Sequence, residues 1–293
     1  MKTFLNAIGF LTIIRIPQRL YLKKQDFWKT TYYFPLTGII IGLLCAAFYF
    51  AVSFILPLIT CVILTIGLEV LITGAMHLDG LSDTIDGIFS GEFDKAKILE
   101  IMKKSDIGAF GVLALIFLFA LKFAFFYILA ELGGFDIYGT LILICFMPAF
   151  GRWTINYNFN KYGRLKREGS LARSFINDGN KKAFVISTFY LFYLFLMYAL
   201  LFGFFFKGNY FLNTSGLSLK LFKVINLDLN LSFMLIPVIK IVVLILLVYL
   251  FTYLLGRFFV KKIGNLSGDA IGALVEIMEV FYLFLCYIIV KYV

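Results

Sequence analysis

The chain has 293 residues, 62% of them hydrophobic and 15% charged, with a formal net charge of +10. Several apolar runs exceed the ~20 residues needed to cross a bilayer core, which excludes a soluble globular domain. No period-2 alternation broken by regular turns appears, which argues against a β-barrel, so the expectation is an all-α, polytopic membrane bundle of about seven transmembrane helices in a single domain over residues 1–293.

Residues 1–31 precede the first span and carry Lys2, Arg15, Arg19, Lys23, Lys24 and Lys29 against one acid, Asp26. Phe4, Ile8 and Leu11 recur at helical spacing and predict an interfacial helix leading into Pro17. A secretory signal is not expected, because Arg15 interrupts the apolar stretch and no small-residue cleavage site follows. Spans are predicted near 32–56, 57–78, 107–131, 137–157, 183–206, 231–256 and 271–292, the first two joined tightly around Pro57. Glu69 falls inside the second span and is either functional or the partner of another polar group, Lys122 among them. Lys122 itself, in the third span, is expected to snorkel toward the outer interface. Cys45, Cys61, Cys145 and Cys286 lie within spans without CxxC spacing and read as small core residues.

Lys and Arg fall unevenly between the loops. The N-terminal group shares a side with Lys95, Lys97, Lys103 and Lys104, with the run from Arg152 to Lys182, and with Arg257, Lys261 and Lys262. The opposite side has Lys207, Lys220, Lys223 and Lys291. This bias puts the N-terminus and every polar motif in the cytoplasm and the C-terminus outside, with the cell membrane as the location. The basic residues are tied to span ends, which suits a lipid bilayer partner at about 1 kcal/mol per cation and not nucleic acid.

The most informative stretch follows the second span: His77-Leu78-Asp79-Gly80-Leu81-Ser82-Asp83-Thr84-Ile85-Asp86-Gly87. Its three carboxylates stand at i, i+4 and i+7, offsets that return to within roughly 60° of one another on a helix. At ~5 Å and an effective dielectric near 20 each unpaired contact costs about 3 kcal/mol, so the arrangement suits a hard cation. Mg²⁺ is the hard cation that also suits phosphates, and Asp79, Asp83 and Asp86 are its expected ligands. His77 is the only histidine, which excludes a multi-histidine metal centre.

Phosphoryl transfer also needs cations on the developing charge and a base for the attacking hydroxyl. The segment 152–178 offers Arg152, Arg164, Lys166, Arg167 and Arg173, interleaved with Tyr157, Tyr162 and Gly169. Two further segments, 100–111 and 261–273, put Ser and Asp where a span begins: Ser105 and Asp106 before Gly108 and Gly111, and Ser267 and Asp269 before Gly272. Such helix starts are capped by their own side chains and can equally aim free amides at an anion, with glycine admitting a ligand to the backbone.

Gly74 to Gly87 resembles the signature of the cobalamin synthase family, the adenosylcobinamide-GDP ribazoletransferases. So do Glu100-Ile101-Met102-Lys103 with Ile107-Gly108-Ala109-Phe110-Gly111, Gly268-Asp269 with Ile271-Gly272-Ala273, Ala7 to Thr12, and Phe34 to Gly38. The family often has aspartate where this chain has Lys104, and threonine where it has Ser267. The resemblance implies a membrane transferase whose catalytic segments are 74–111, 152–178 and 261–273. Adenosylcobinamide-GDP would be attacked by the 5′ end of α-ribazole, or by α-ribazole 5′-phosphate, releasing GMP and leaving adenosylcobalamin or its 5′-phosphate. A homo-oligomer, or association with other cobalamin-assembly enzymes, stays open. Two other classes stay open on the residues alone. A CDP-alcohol phosphotransferase also uses spaced aspartates at a cytoplasmic helix end, and a secondary transporter would use Glu69 in an ion path.

Within this framework Asp86, His77 and Arg152 are the expected catalytic residues. Arg164, Arg167, Lys103, Ser105, Gly108 and Asp269 are expected to bind substrate. Asp86 is the preferred proton acceptor, because His77 points about 200° away from Asp79 on a helix and is left to orient a ligand. The topology has a direct test. Cysteines introduced singly as Ser90→Cys and Ser170→Cys should stay unlabelled when impermeant thiol reagents are added to intact cells, and labelling of either would reverse the orientation.

Overall fold

A computed structural model describes residues 1–104, 106–131, 137–163, 174–177, 179–205 and 229–292. All regular elements among these are helical. The order is α1 (Lys2–Leu11), 3-10 segments Gln18–Leu20 and Lys24–Tyr33, α2 (Phe34–Ser53), α3 (Leu58–Thr73), α4 (Met76–Phe89) and α5 (Lys95–Ile101). It continues with α6 (Ala109–Glu131), α7 (Ile137–Tyr162), α8 (Asn180–Phe205), α9 (Leu229–Ile263) and α10 (Gly268–Tyr292). The all-α membrane bundle is as expected. The number of spans is not confirmed. Among the described residues four helices are long and apolar enough to cross a membrane, and five if α3 and α4 count as one broken span, so about seven is not established.

The second predicted span does not run through to residue 78. Gly74 (φ 63°) and Ala75 (φ 58°) both take the left-handed conformation, and the chain bends by 90° between α3 and α4. Glycine enters that region freely, whereas a residue with a Cβ pays a penalty of order 1–3 kcal/mol, a strain that recurs at functional sites. The aspartate motif therefore has a helix of its own, set across the direction of α3.

α2 and α7 pack against each other most extensively, and sequence explains how. Gly38 and Gly42 form a small-xxx-small pair, and the space a Cβ would need is filled by the backbone of Pro148, Ala149 and Cys145. Bare backbone lets helices in lipid approach closely and gain dispersion contacts where no hydrophobic drive exists. α1 is less interfacial than its pattern suggests. Ala7 and Leu11 are fully buried in the protein, beside Phe34, and Phe4 packs edge-on to Tyr33. Asn6 fixes the following loop, donating to the Leu20 carbonyl at 2.8 Å and accepting from the Leu22 amide at 3.2 Å.

Five buried charged side chains cluster in the interior. Lys122 of α6 lies 3.1 Å from Glu69 of α3, and 3.3 Å and 2.5 Å from Glu276 and Glu279 of α10. Arg152 of α7 pairs with Glu279 and stands 3.7 Å from Glu69. All five side chains are buried. Lys122 is thus 2% exposed and does not snorkel; three carboxylates within ion-pair distance hold it inside, which resolves Glu69 as its partner. Taking both cations against three glutamates leaves one excess negative charge. Removing a cation should therefore hurt more than removing a carboxylate. Lys122→Met should cost about 3–5 kcal/mol, read as a large drop in thermal midpoint in detergent, while Glu276→Gln should cost clearly less. Equal losses would contradict this charge count.

Candidate active site

The aspartate helix α4 lies between α10 and α6, and its position against α10 is set by two glycines. A Cβ on Gly80 would stand 2.7 Å from the Asp269 carbonyl oxygen, and one on Gly272 would stand 3.1 Å from His77 Cα. Backbone thus crosses backbone, a contact that any larger residue would separate. The crossing brings Asp269, at the first turn of α10, up to Asp79 and Asp83.

Electrostatics show the convergence. Asp83 is pushed up to about 6, first by burial and then by the like charges of Asp79, Asp269 and Asp86. Asp79 is exposed, and Asp83, Asp86 and Asp269 are partly exposed, so the carboxylates share an open face. Such repulsion favours whatever neutralises it. Among the described residues no three His, Cys, Asp or Glu side chains converge closely enough to enclose a metal ion. That is compatible with Mg²⁺, which keeps several waters and is commonly held by one or two carboxylates plus substrate phosphates.

Asp86 is placed differently from its two companions. Its carboxylate accepts hydrogen bonds from the Gly108 amide at 2.7 Å and the Gly111 amide at 2.8 Å, one on each oxygen. Both amides belong to the start of α6, so the anion expected at that helix terminus is a side chain of the protein itself. Gly108 was expected to meet substrate; its N–H is spent on Asp86, and the space beside Gly108 and Gly111 is filled by the Asp86 carboxylate and by Ser82 Oγ. Gly108, Gly111 and Gly272 admit other parts of the protein, while the space beside Gly268 is open. At the start of α10 the capping expectation holds, since Ser267 Oγ accepts from the Ala270 amide at 3.0 Å.

The remaining expected residues divide four ways. His77 is 3% exposed, its backbone lies against Gly272 at the α4–α10 crossing, and its Nδ1 has no hydrogen-bond partner. Arg152 departs from its expected place: its guanidinium is fully buried in the five-charge cluster and ion-paired to Glu279, which withholds it from a phosphate on the open face. Lys103 is exposed after α5. Ser105, Arg164 and Arg167 lie outside the described residues. Two contributions went unforeseen: α5, capped by Asp94 on the Ala96 amide, and the use of Asp86 as a cap. The spacing of Asp86 to Gly108, 22 residues with α5 between them, carries no local signal.

Comparison with known proteins now bears on this geometry. A family model described as cobalamin-5-phosphate synthase matches residues 3–287. The chain belongs to the cobalamin-5-phosphate synthase family. An adenosylcobinamide-GDP ribazoletransferase of Fusobacterium nucleatum is 32% identical over 301 residues, covering 99% of this chain and 98% of its own. The Clostridioides difficile protein of that name is 32% identical over 292 residues, with the same coverage. That of Alkaliphilus metalliredigens is 40% identical over 200 residues, 68% of this chain and 76% of its own. No solved structure matches. Within this family member the packing of Gly111 gives a test. Gly111→Ala should displace Asp86 and lower thermal midpoint and turnover together, whereas Gly268→Ala, with open space around it, should leave the midpoint unchanged.

Proposed function

We propose that the chain is one membrane-embedded catalytic domain that joins adenosylcobinamide-GDP to α-ribazole or α-ribazole 5′-phosphate, the closing step of cobalamin assembly. Family membership over nearly the whole chain supports the reaction. The observation that carries the site is the gathering of Asp79, Asp83 and Asp269 at the α4–α10 crossing, with Asp86 anchored beside them.

In this reading Asp79 and Asp83 hold Mg²⁺, with Asp269 adding to the negative field. When bound, the ion would neutralise the diphosphate oxygens of the donor. A hydroxyl of ribazole attacks the phosphorus that carries the cobinamide. The bond from that phosphorus to the bridging oxygen breaks, and GMP leaves with the electron pair. The nucleophile cannot be the 5′ oxygen expected above. A 5′-phosphorylated product keeps its phosphate there, so the reacting oxygen is another ribose hydroxyl.

Asp86 is the proton acceptor favoured here over His77, which is buried. Its two amide bonds fix the carboxylate in orientation and leave a further lone pair on each oxygen. Asp86 was also expected to bind metal; its engagement with α6 sets it apart from Asp79 and Asp83, and its free lone pairs keep it within reach of a proton. His77, packed at Gly272, orients the crossing. Lys103, Arg164 and Arg167, on segments with no intramembrane partner in the sequence pattern, supply cations for the phosphates. Ser105 and Asp269 complete substrate binding. Membership in this family leaves a CDP-alcohol phosphotransferase or a transporter without a supporting observation. The location proposed is the cell membrane, with the N-terminus and these segments on the cytoplasmic side.

Membranes containing the protein, given adenosylcobinamide-GDP, α-ribazole 5′-phosphate and Mg²⁺, should release GMP in step with a cobalamin product. Asp83→Asn keeps the size of the side chain and removes its charge; it should cut turnover by orders of magnitude while the protein still inserts. Near-normal turnover in Asp83→Asn would sink the metal assignment, and Ca²⁺, with its looser coordination, should replace Mg²⁺ poorly.

A further inference from the structure

A groove of about 680 Å³ opens between the N-terminal segment and α8. One wall is Trp28, Tyr32 and Leu36; the other is Ile186, Tyr193 and Leu194, and Lys29 stands at its rim. Tyr190 forms its floor. The Tyr190 hydroxyl donates to the Tyr32 carbonyl at 2.9 Å and accepts from the Leu36 amide at 3.2 Å, so the floor is polar-satisfied and rigid. Trp28 fills the space beside Gly179, just before α8 begins, which fixes the groove's upper end at the helix start. Tyr193, Ile186 and Leu194 are exposed along its open side.

Three properties fix the occupant. The lining is apolar and aromatic, with four tyrosine rings and an indole, residue types enriched where chain meets headgroup. From Ile186 to Leu194 the groove follows α8 for about 12 Å, close to the depth of one leaflet's hydrocarbon. The charge is one-sided: Lys29 lines the groove, residues 1–31 that supply one wall carry six cations against Asp26 alone, and Lys181 and Lys182 open α8. Lys29 is 2.7 Å from Asp26, but both side chains are partly exposed, so that pair competes weakly with a phosphodiester.

We propose that this groove holds one anionic phospholipid, its phosphate at Lys29 and one acyl chain along α8. The proposal rests on the reading above that residues 1–31 lie at a membrane–water interface, and it needs no particular leaflet. The lipid would clamp the 3-10 segment Lys24–Tyr33 to α8 and so support the packing of α1 and α2 behind it.

The test is native mass spectrometry of the full chain released from nanodiscs of equal phosphatidylglycerol and phosphatidylcholine. The wild type should retain one phosphatidylglycerol in preference to phosphatidylcholine. Lys29→Gln should lower that preference about fivefold, the loss of about 1 kcal/mol for one surface cation. Leu194→Trp, which fills the groove, should lower retention of both lipids. Retention without headgroup preference, or a preference that both variants leave unchanged, overturns the proposal. So does a retained second copy of the chain that Leu194→Trp releases. Should the cytoplasmic orientation be wrong instead, Ser90→Cys would label from outside while lipid retention stayed as stated, so the two failures are distinguishable.

Discussion

Charge inside a low-dielectric interior must be paired, and the pairing here decides how the bundle is put together. Glu69, Lys122, Arg152, Glu276 and Glu279 come from α3, α6, α7 and α10, and each cation touches carboxylates from more than one helix. No single helix can move without leaving an ion unpaired in hydrocarbon. Three of the four are also the helices from which the catalytic segments extend. α3 leads into the aspartate helix, α6 begins at the amides that hold Asp86, and α10 begins with Asp269. The cluster thus sets the spacing of the site from within the membrane, although none of its members reaches the open face.

At that face a second kind of contact takes over. Gly80 and Gly272 let α4 and α10 meet at backbone distance, and Asp86 ties α4 to α6 through the Gly108 and Gly111 amides. The first contact is dispersion between closely approached chains; the second is a charge-assisted hydrogen-bond pair at a helix N-terminus. Together they hold repelling carboxylates side by side before any cation arrives, a form of preorganisation whose cost appears in the raised Asp83.

Much of this was legible in the residues. Hydrophobic run lengths identify the long helices, and the i, i+4, i+7 pattern puts the aspartates on one helix. What the pattern could not supply is tertiary. Lys122 looks like any snorkelling lysine until α10 brings Glu276 and Glu279 to it, more than 150 residues away. Arg152 belongs by position to a basic stretch, and only the packing of α7 on α10 turns it inward. Glycine is ambiguous for the same reason. A missing Cβ can admit a ligand or another helix, and at Gly80, Gly108, Gly111 and Gly272 it admits protein.

The right-angle turn at Gly74 and Ala75 has a consequence for depth. Had α3 continued straight, Asp86 would stand about 10 Å farther along its axis than Asp79, because each of seven residues adds about 1.5 Å. With α4 set 90° to α3, the motif advances sideways instead, and its carboxylates keep one level relative to the axis of the preceding helix. Depth along that axis therefore does not distinguish them, and the difference between exposed Asp79 and partly buried Asp83 comes from local packing. A donor whose diphosphate lies flat along α4 would meet every charge at the same depth, without either end entering the bilayer.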